Sequence, residues 1–279
     1  LAISLTQEFP THQFAWKVLG AVLKQTGRIA DSLVPMQKSA QLTPQDAEAH
    51  YRLGNTLQEL GRLDEAEASY NQAIALKPDF VEAYSNLGVT LQALERLDEA
   101  EASYRQAIVL KPDFAEAHYN LGVTLQALGS LNEAEASYRQ AIVLKPNYAL
   151  AYYNLGVTLQ ALARLDEAEV SYKQAIGLRS DYAEAHSNLG VTLQELRRFD
   201  EAEASYKQAI ALRPDFVEAH SNLGVTLKEL SRLDEAEAVY NQAIALKPDF
   251  VEAHYNLGNT LRDLGRIDEA EASLSKAIA

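Results

Sequence analysis

Residues 81–114 read VEAYSNLGVTLQALERLDEAEASYRQAIVLKPDF, and residues 115–148 read AEAHYNLGVTLQALGSLNEAEASYRQAIVLKPNY. The two segments differ at only eight of 34 positions, so the chain repeats itself with a period of 34 residues. The period continues along the chain in Leu-Gly pairs, whose glycines are Gly20, Gly54, Gly88, Gly122, Gly156, Gly190, Gly224 and Gly258. A proline keeps the same step from Pro10 to Pro248, with Ser180 in the one gap. A fixed period of this length indicates an array of stacked structural units.

We number the positions of the repeat from 1 to 34, with the recurring glycine at position 8. Full repeats then occupy 13–46, 47–80, 81–114, 115–148, 149–182, 183–216 and 217–250, and a partial repeat occupies 251–279. Residues 1–12 correspond to the tail of an upstream repeat. We therefore expect one array over residues 1–279, with both ends of the sequence falling inside a repeat.

Each repeat predicts two amphipathic helices joined by a tight turn. In residues 47–80, apolar side chains recur at helical spacing on both sides of Gly61. Glycine inside a helix costs about 0.5–1 kcal/mol relative to alanine. Its return at position 8 therefore predicts close approach of the second helix, whose small Ala66 and Ala73 share one face.

The helix ends carry charge signals. Asp64 with Glu67, and Asp79 with Glu82, match the capping box that satisfies free backbone donors, so we expect these aspartates to cap their helices. The same box recurs as Asp98/Glu101, Asp113/Glu116, Asp215/Glu218, Asp234/Glu237 and Asp249/Glu252. A basic residue lies at the end of each second helix, where the helix dipole favours positive charge. These residues are Lys77, Lys111, Lys145, Arg179, Arg213 and Lys247.

These features together resemble the tetratricopeptide repeat: an aromatic residue or His at position 4, Leu-Gly at 7 and 8, Ala at 20 and 27, an aromatic residue at 24 and Pro at 32. Met36 at position 24, Ser180 at position 32 and Pro35 inside the second helix of its repeat depart from the pattern. The resemblance implies an all-α fold, a right-handed superhelix (solenoid) of helix-turn-helix repeats. It also implies that the first helices line a concave groove that binds peptides or proteins.

Composition excludes several other classes of protein. The 279 residues contain no Cys, which excludes disulfides, thiol nucleophiles and thiolate metal sites. No apolar run is long enough for a membrane span, so we expect a cytoplasmic protein without a membrane partner. The His residues at position 4 are copies of one structural position, so we expect packing rather than catalysis, and we expect no enzyme activity, metal or other cofactor.

A net charge of −14 argues against nucleic acid, because phosphate binding needs a basic surface. Most acidic residues lie in first turns of helices, where dipole complementation explains them. The remaining acidity favours a basic protein partner.

Helical geometry places positions 2, 6, 9 and 13 of the first helix opposite positions 4, 7, 8 and 11, so the first set should face the groove. Position 6 is an asparagine at Asn86, Asn120, Asn154, Asn188, Asn222 and Asn256. Position 2 is a glutamate at Glu48, Glu82, Glu116, Glu184, Glu218 and Glu252. Position 9 is valine in the middle repeats and asparagine at Asn55 and Asn259. We expect these asparagines and glutamates to contact an extended peptide.

The asparagine stripe is similar to the one in the superhelix of O-linked N-acetylglucosamine transferases. This resemblance implies that the asparagines bind extended substrate segments. Three hypotheses remain open: a peptide-binding module, the substrate-targeting region of a larger glycosyltransferase, and a scaffold that associates end to end through apolar residues near Ile278. Only Lys17 and Arg52 are basic at positions 5 and 6, so a clamp for a terminal carboxylate is not expected.

Overall fold

The computed structural model of the protein describes residues 2–278, and side chains from Ser4 onward. The described residues form seventeen α-helices and no strand, which confirms the all-α prediction. The helices are α1 (Ala2–Glu8), α2 (Gln13–Gln25), α3 (Ile29–Leu42), α4 (Ala47–Glu59), α5 (Leu63–Leu76), α6 (Val81–Ala93), α7 (Leu97–Leu110), α8 (Ala115–Ala127), α9 (Leu131–Leu144), α10 (Ala149–Ala161), α11 (Leu165–Leu178), α12 (Ala183–Glu195), α13 (Phe199–Leu212), α14 (Val217–Glu229), α15 (Leu233–Leu246), α16 (Val251–Asp263) and α17 (Ile267–Ile278).

The chain divides into two compact units, one up to Lys145 and one from Pro146 on. In the first unit each second helix packs on its own first helix and on the next first helix, in order from α2 to α9, and α1 packs on α2. In the second unit the same order runs from α10 to α17. Neighbouring first helices also touch, for example α4 with α6 and α14 with α16. Each unit is therefore a stack of helix pairs of the kind that builds a tetratricopeptide solenoid.

The turn inside each pair is a Schellman motif. In the repeat 47–80, Gly61 has φ +71° and donates its N–H to the Gln58 carbonyl at 3.0 Å, while Arg62 donates to the Leu57 carbonyl at 2.9 Å. Four repeats hold a residue other than glycine in this left-handed conformation, with φ between 57° and 60°, namely Glu95, Ala163, Arg197 and Ser231.

The expected capping boxes are wrong. Helix α5 begins at Leu63, after Arg62, so Asp64 lies inside the first turn and its side chain caps nothing. Helix α6 likewise follows Phe80 without a side-chain cap, and Asp79 lies outside it. The Schellman turn leads directly into the second helix, which starts before the aspartate is reached. Asp46, which the sequence did not single out, does cap α4 by accepting the N–H of Glu48 at 3.0 Å.

The position-8 glycines lie against the second helix, as expected, but the contact is with a tyrosine rather than with small alanines. A Cβ added to Gly54 would lie 2.7 Å from Cε1 of Tyr70, the fully buried residue at position 24. The same contact recurs at Gly88, Gly122, Gly156, Gly190 and Gly224. In the repeat 13–46, Met36 takes the place of the ring, and α3 runs unbroken through the buried Pro35.

Ion pairs join consecutive second helices, whereas the asparagine stripe lies on the first helices. Arg96 contacts Glu67 of the preceding repeat and Glu99 of its own helix, each at 2.6 Å. The equivalent arginines that bridge two glutamates are Arg198, Arg232 and Arg266. Much of the negative charge of the second helices is therefore neutralised within the chain.

Candidate functional site

We call positions 2, 6, 9 and 13 of the first helices the first-helix surface. The glycines at position 8 and the leucines at position 11 are buried in every repeat. In contrast, the six asparagines at position 6 are half-buried, and the glutamates at position 2 are half-buried or exposed. The polar side chains of the first-helix surface are therefore open to solvent within both units.

Two of the asparagines are held by tyrosines of the preceding repeat. Asn86 donates through Nδ2 to Tyr51 Oη at 3.2 Å and to Asn55 Oδ1 at 2.8 Å. Asn188 donates in the same way to Tyr153 Oη at 3.1 Å. The acceptor is the residue at position 5 of the preceding repeat in both cases. These amides thus serve packing between repeats, and Asn154 also has an interaction within the chain.

Three of the asparagines have side chains that make no hydrogen bond to any described residue, namely Asn120, Asn222 and Asn256. The repeat before each of them carries serine at position 5, at Ser85, Ser187 and Ser221. Serine is too short to reach the amide of the next repeat. The sequence shows which repeats carry tyrosine and which carry serine at position 5, but the consequence of this difference is visible only from the contacts.

The asparagines at position 9 differ in the same manner. Asn55 accepts hydrogen bonds from Tyr70 Oη at 2.8 Å and from Asn86. Asn259 is half-buried and has no such partner among the described residues. Asn259 is thus available to a ligand, whereas Asn55 is part of an internal network.

The glutamates at position 2 also fall into two groups. Glu116 pairs with Lys145 at 2.9 Å, and that hydrogen bond holds the pKa of the Glu116 carboxyl below its usual value. Glu184 pairs with Arg213 at 2.7 Å, and Glu48 pairs with Arg52. The carboxylates without an ion pair to any described residue are Glu82, Glu218 and Glu252. Leu150 interrupts the stripe in the repeat 149–182.

Unpaired amides and unpaired carboxylates coincide in the second unit, between α14 and α16. A cavity of about 250 Å³ lies there. Its walls are Glu218, Ser221, Asn222, Phe250, Glu252 and Asn256. Within the first unit, a larger cavity of about 520 Å³ lies between α2 and α4. Val18 and Met36 line it, and Arg52 at its edge is already paired with Glu48.

The histidines at position 4 have a structural role that the sequence did not reveal. His50, His220 and His254 donate Nε2–H to the carbonyl of the proline at position 32 just before their helix, at 2.8–3.0 Å. Trp16 makes the equivalent bond to the Pro10 carbonyl at 2.8 Å. His186 bonds to Ser180, and burial lowers the pKa of its imidazole. In the repeats with histidine or tryptophan at position 4, this side chain ties the first helix to the junction before it.

Among the residues from 2 to 278, no three acidic or histidine side chains come together in a way that would hold a metal ion. No helix in that range combines the length and the apolar character needed to span a membrane.

Family models described as TPR repeat and tetratricopeptide repeat match residues 36–68, 54–95, 91–129, 125–162, 149–215, 189–249 and 226–279. The chain therefore belongs to the tetratricopeptide repeat family. Members of this family are protein–protein interaction modules, and the helix-pair solenoid described above is that of the family.

Several solved structures have a similar fold. YrrB, a TPR protein with an unusual peptide-binding site, shares 24% identity at a TM-score of 0.59 over 66% of this chain and 95% of its own. MamA shares 26% identity at a TM-score of 0.57 over 58% of this chain and 95% of its own. A chain of the APC/C hetero-tetramer Cut9–Hcn1 shares 17% identity at a TM-score of 0.64 over 93% of this chain and 51% of its own. A search of curated protein sequences finds no match.

Proposed function

We propose that the first-helix surface binds an extended segment of another protein, and that its unpaired asparagine amides hold the backbone of that segment. The observation that carries this proposal is the pair Asn222 and Asn256. Both lie half-buried on touching first helices, α14 and α16, and neither side-chain amide is used within the described chain.

An asparagine side chain both donates and accepts hydrogen bonds, and a peptide backbone needs both. Packed helices lie about 8–10 Å apart, while an extended chain advances about 3.3 Å per residue, so one asparagine would meet roughly every third residue of the ligand. Two successive amides can therefore hold one extended segment in a fixed register.

The likeness to YrrB supports a peptide as the ligand, since that structure has a peptide-binding site. The net charge of −14 supports a basic segment. The proposed role is binding rather than catalysis. The hypotheses of a glycosyltransferase targeting region and of an end-to-end scaffold stay predictions from the sequence.

The test is selection of peptides of about eight residues from a random display library, a length that spans about three repeats. The wild-type chain is compared with the double variant Asn222→Ala/Asn256→Ala. We expect the wild type to select peptides and the double variant to lose them at an unchanged unfolding midpoint, because these amides stabilise nothing in the free chain.

The matched control is Asn188→Ala, whose amide is bonded to Tyr153. This variant should lose about 1 kcal/mol of folding free energy and keep the selected peptides. If the double variant binds the peptides as well as the wild type does, the amides do not form the binding site and the proposal fails.

A further inference from the structure

The cavity between α14 and α16 lies beside a position where some other repeats carry an aromatic ring. In other repeats the tyrosine at position 5 packs on the aromatic residue at position 34: Tyr51 lies 4.8 Å from Phe80, and Tyr153 lies 4.8 Å from Tyr182, between ring centroids. In the repeat 217–250 position 5 is Ser221, so Phe250 has no such ring beside it and forms a wall of the cavity.

The preceding repeat, 183–216, shows which chemical group fits this kind of wall. The guanidinium of Arg213 lies with its Cζ 3.5 Å from the centroid of the Phe216 ring. The same guanidinium donates from Nη1 to Glu184 Oε1 at 2.7 Å. A cation stacked on a ring and paired with a carboxylate is stabilised by both contacts.

The corresponding residues in the repeat 217–250 are Glu218, Lys247 and Phe250. Lys247 holds its Nζ 5.4 Å from the Phe250 centroid and makes no ion pair with Glu218. Glu252, at the same position of the next repeat, is a second unpaired carboxylate on the rim of the cavity. The ring and both carboxylates are therefore present without the guanidinium that accompanies them one repeat earlier.

We propose that this cavity binds an arginine side chain of the extended segment, with its guanidinium against the Phe250 ring and between the carboxylates of Glu218 and Glu252. This inference rests on the proposed function, since Asn222 and Asn256 on the same walls would hold the backbone beside that arginine. Arginine fits better than lysine because its planar group stacks on a ring while donating to two acceptors at once.

The test uses peptides of about eight residues that the wild-type chain selects from the library. Each selected peptide is synthesised again with each arginine replaced in turn by citrulline, which has the same shape as arginine without the charge. One arginine position should be enriched, and its replacement should weaken binding to the wild type about tenfold or more. The double variant Glu218→Gln/Glu252→Gln should discriminate less than about twofold between the two peptides. Asp234→Asn removes an exposed carboxylate of the second helix α15, outside the first-helix surface, and should leave the discrimination intact.

A second variant, Ser221→Tyr, restores the ring that Tyr51 and Tyr153 provide in their repeats. It should fold like the wild type and exclude the arginine, so that the arginine peptide binds no better than the citrulline peptide. Peptides whose binding depends on Asn222 and Asn256 but shows no preference for arginine would overturn this inference and leave the proposed function standing. Failure of the wild type to select any peptide would overturn both.

Discussion

Replacing Tyr206 and Tyr240 by phenylalanine should shift the stability of the chain in opposite directions. Both rings are fully buried at position 24 of neighbouring repeats in the second unit. Tyr206 donates its hydroxyl to Gln194 Oε1 at 3.1 Å. Tyr240 has no partner, because Lys228 stands where its repeat would carry that glutamine, and Lys228 pairs with Asp263 at 2.8 Å instead.

The expected magnitudes follow from these contacts. Tyr206→Phe removes one hydrogen bond, and Gln194 Oε1 still accepts from Thr226 Oγ1 at 3.2 Å, so the loss should be about 1 kcal/mol. Tyr240→Phe removes an unsatisfied buried hydroxyl, whose burial costs about 1–3 kcal/mol, so this variant should be more stable than the wild type. The two variants should therefore differ by roughly 2–4 kcal/mol in free energy of unfolding.

The assay is guanidinium chloride unfolding followed by far-ultraviolet circular dichroism, with both variants measured beside the wild type. Lys228→Gln provides the decisive control, because it supplies the acceptor that the other repeats have. In that background Tyr240→Phe should become destabilising by about 1 kcal/mol. If Tyr240→Phe alone destabilises the chain as much as Tyr206→Phe does, the Tyr240 hydroxyl is satisfied in solution and the reasoning is refuted.

Four other substitutions test the packing, the turns and a half-buried titratable group. Gly190→Ala should destabilise the chain by about 1–3 kcal/mol, because the new Cβ would lie 2.7 Å from the ring of Tyr206. Gly177→Ala should stabilise it by about 0.5–1 kcal/mol, because a Cβ at Gly177 would meet nothing within 4 Å. Equal effects of the two variants in thermal unfolding would contradict the contact between Gly190 and Tyr206. Ser231→Gly should raise the unfolding midpoint, since Ser231 has φ +60° and glycine adopts that conformation without the cost of about 1–2 kcal/mol. A lower midpoint would show that the Ser231 hydroxyl stabilises the chain by more than the left-handed conformation costs. Burial lowers the pKa of the His186 imidazole, so the folded chain takes up that proton less readily than the unfolded chain. The contribution of His186 to the free energy of unfolding should therefore be fully present above about pH 6.5 and should decline as the pH falls below that value. His186→Gln should reduce that decline in urea titrations, and an unchanged pH dependence would argue against the shift.

The architecture could be predicted because every repeat carries the same local signals. The spacing of leucine and alanine defines two helices, and the glycine at position 8 requires a close neighbour. The capping boxes failed because one pattern, Asp-x-x-Glu, fits both a cap and an ordinary first turn. Only the backbone conformation at Gly61 decides that α5 starts at Leu63 and includes Asp64.

The candidate site was predicted only as a set of equivalent residues. The sequence places asparagine at position 6 of six repeats, and nothing in that pattern separates Asn188 from Asn222. Their difference arises from position 5 of the preceding repeat, where Tyr153 reaches the amide of Asn188 and Ser187 cannot reach that of Asn222. The two residues of each pair lie 35 positions apart, so the contact depends on how one helix pair stacks on the next.

The sequence by itself determined the period, the helices and the surface on which the polar stripe lies, because these depend on spacing within one repeat. The tertiary structure alone decided which members of that stripe are free to bind. Hydrogen bonds and ion pairs form between side chains that only the stacking of repeats brings within reach, and a side chain already paired inside the chain has less capacity for a ligand.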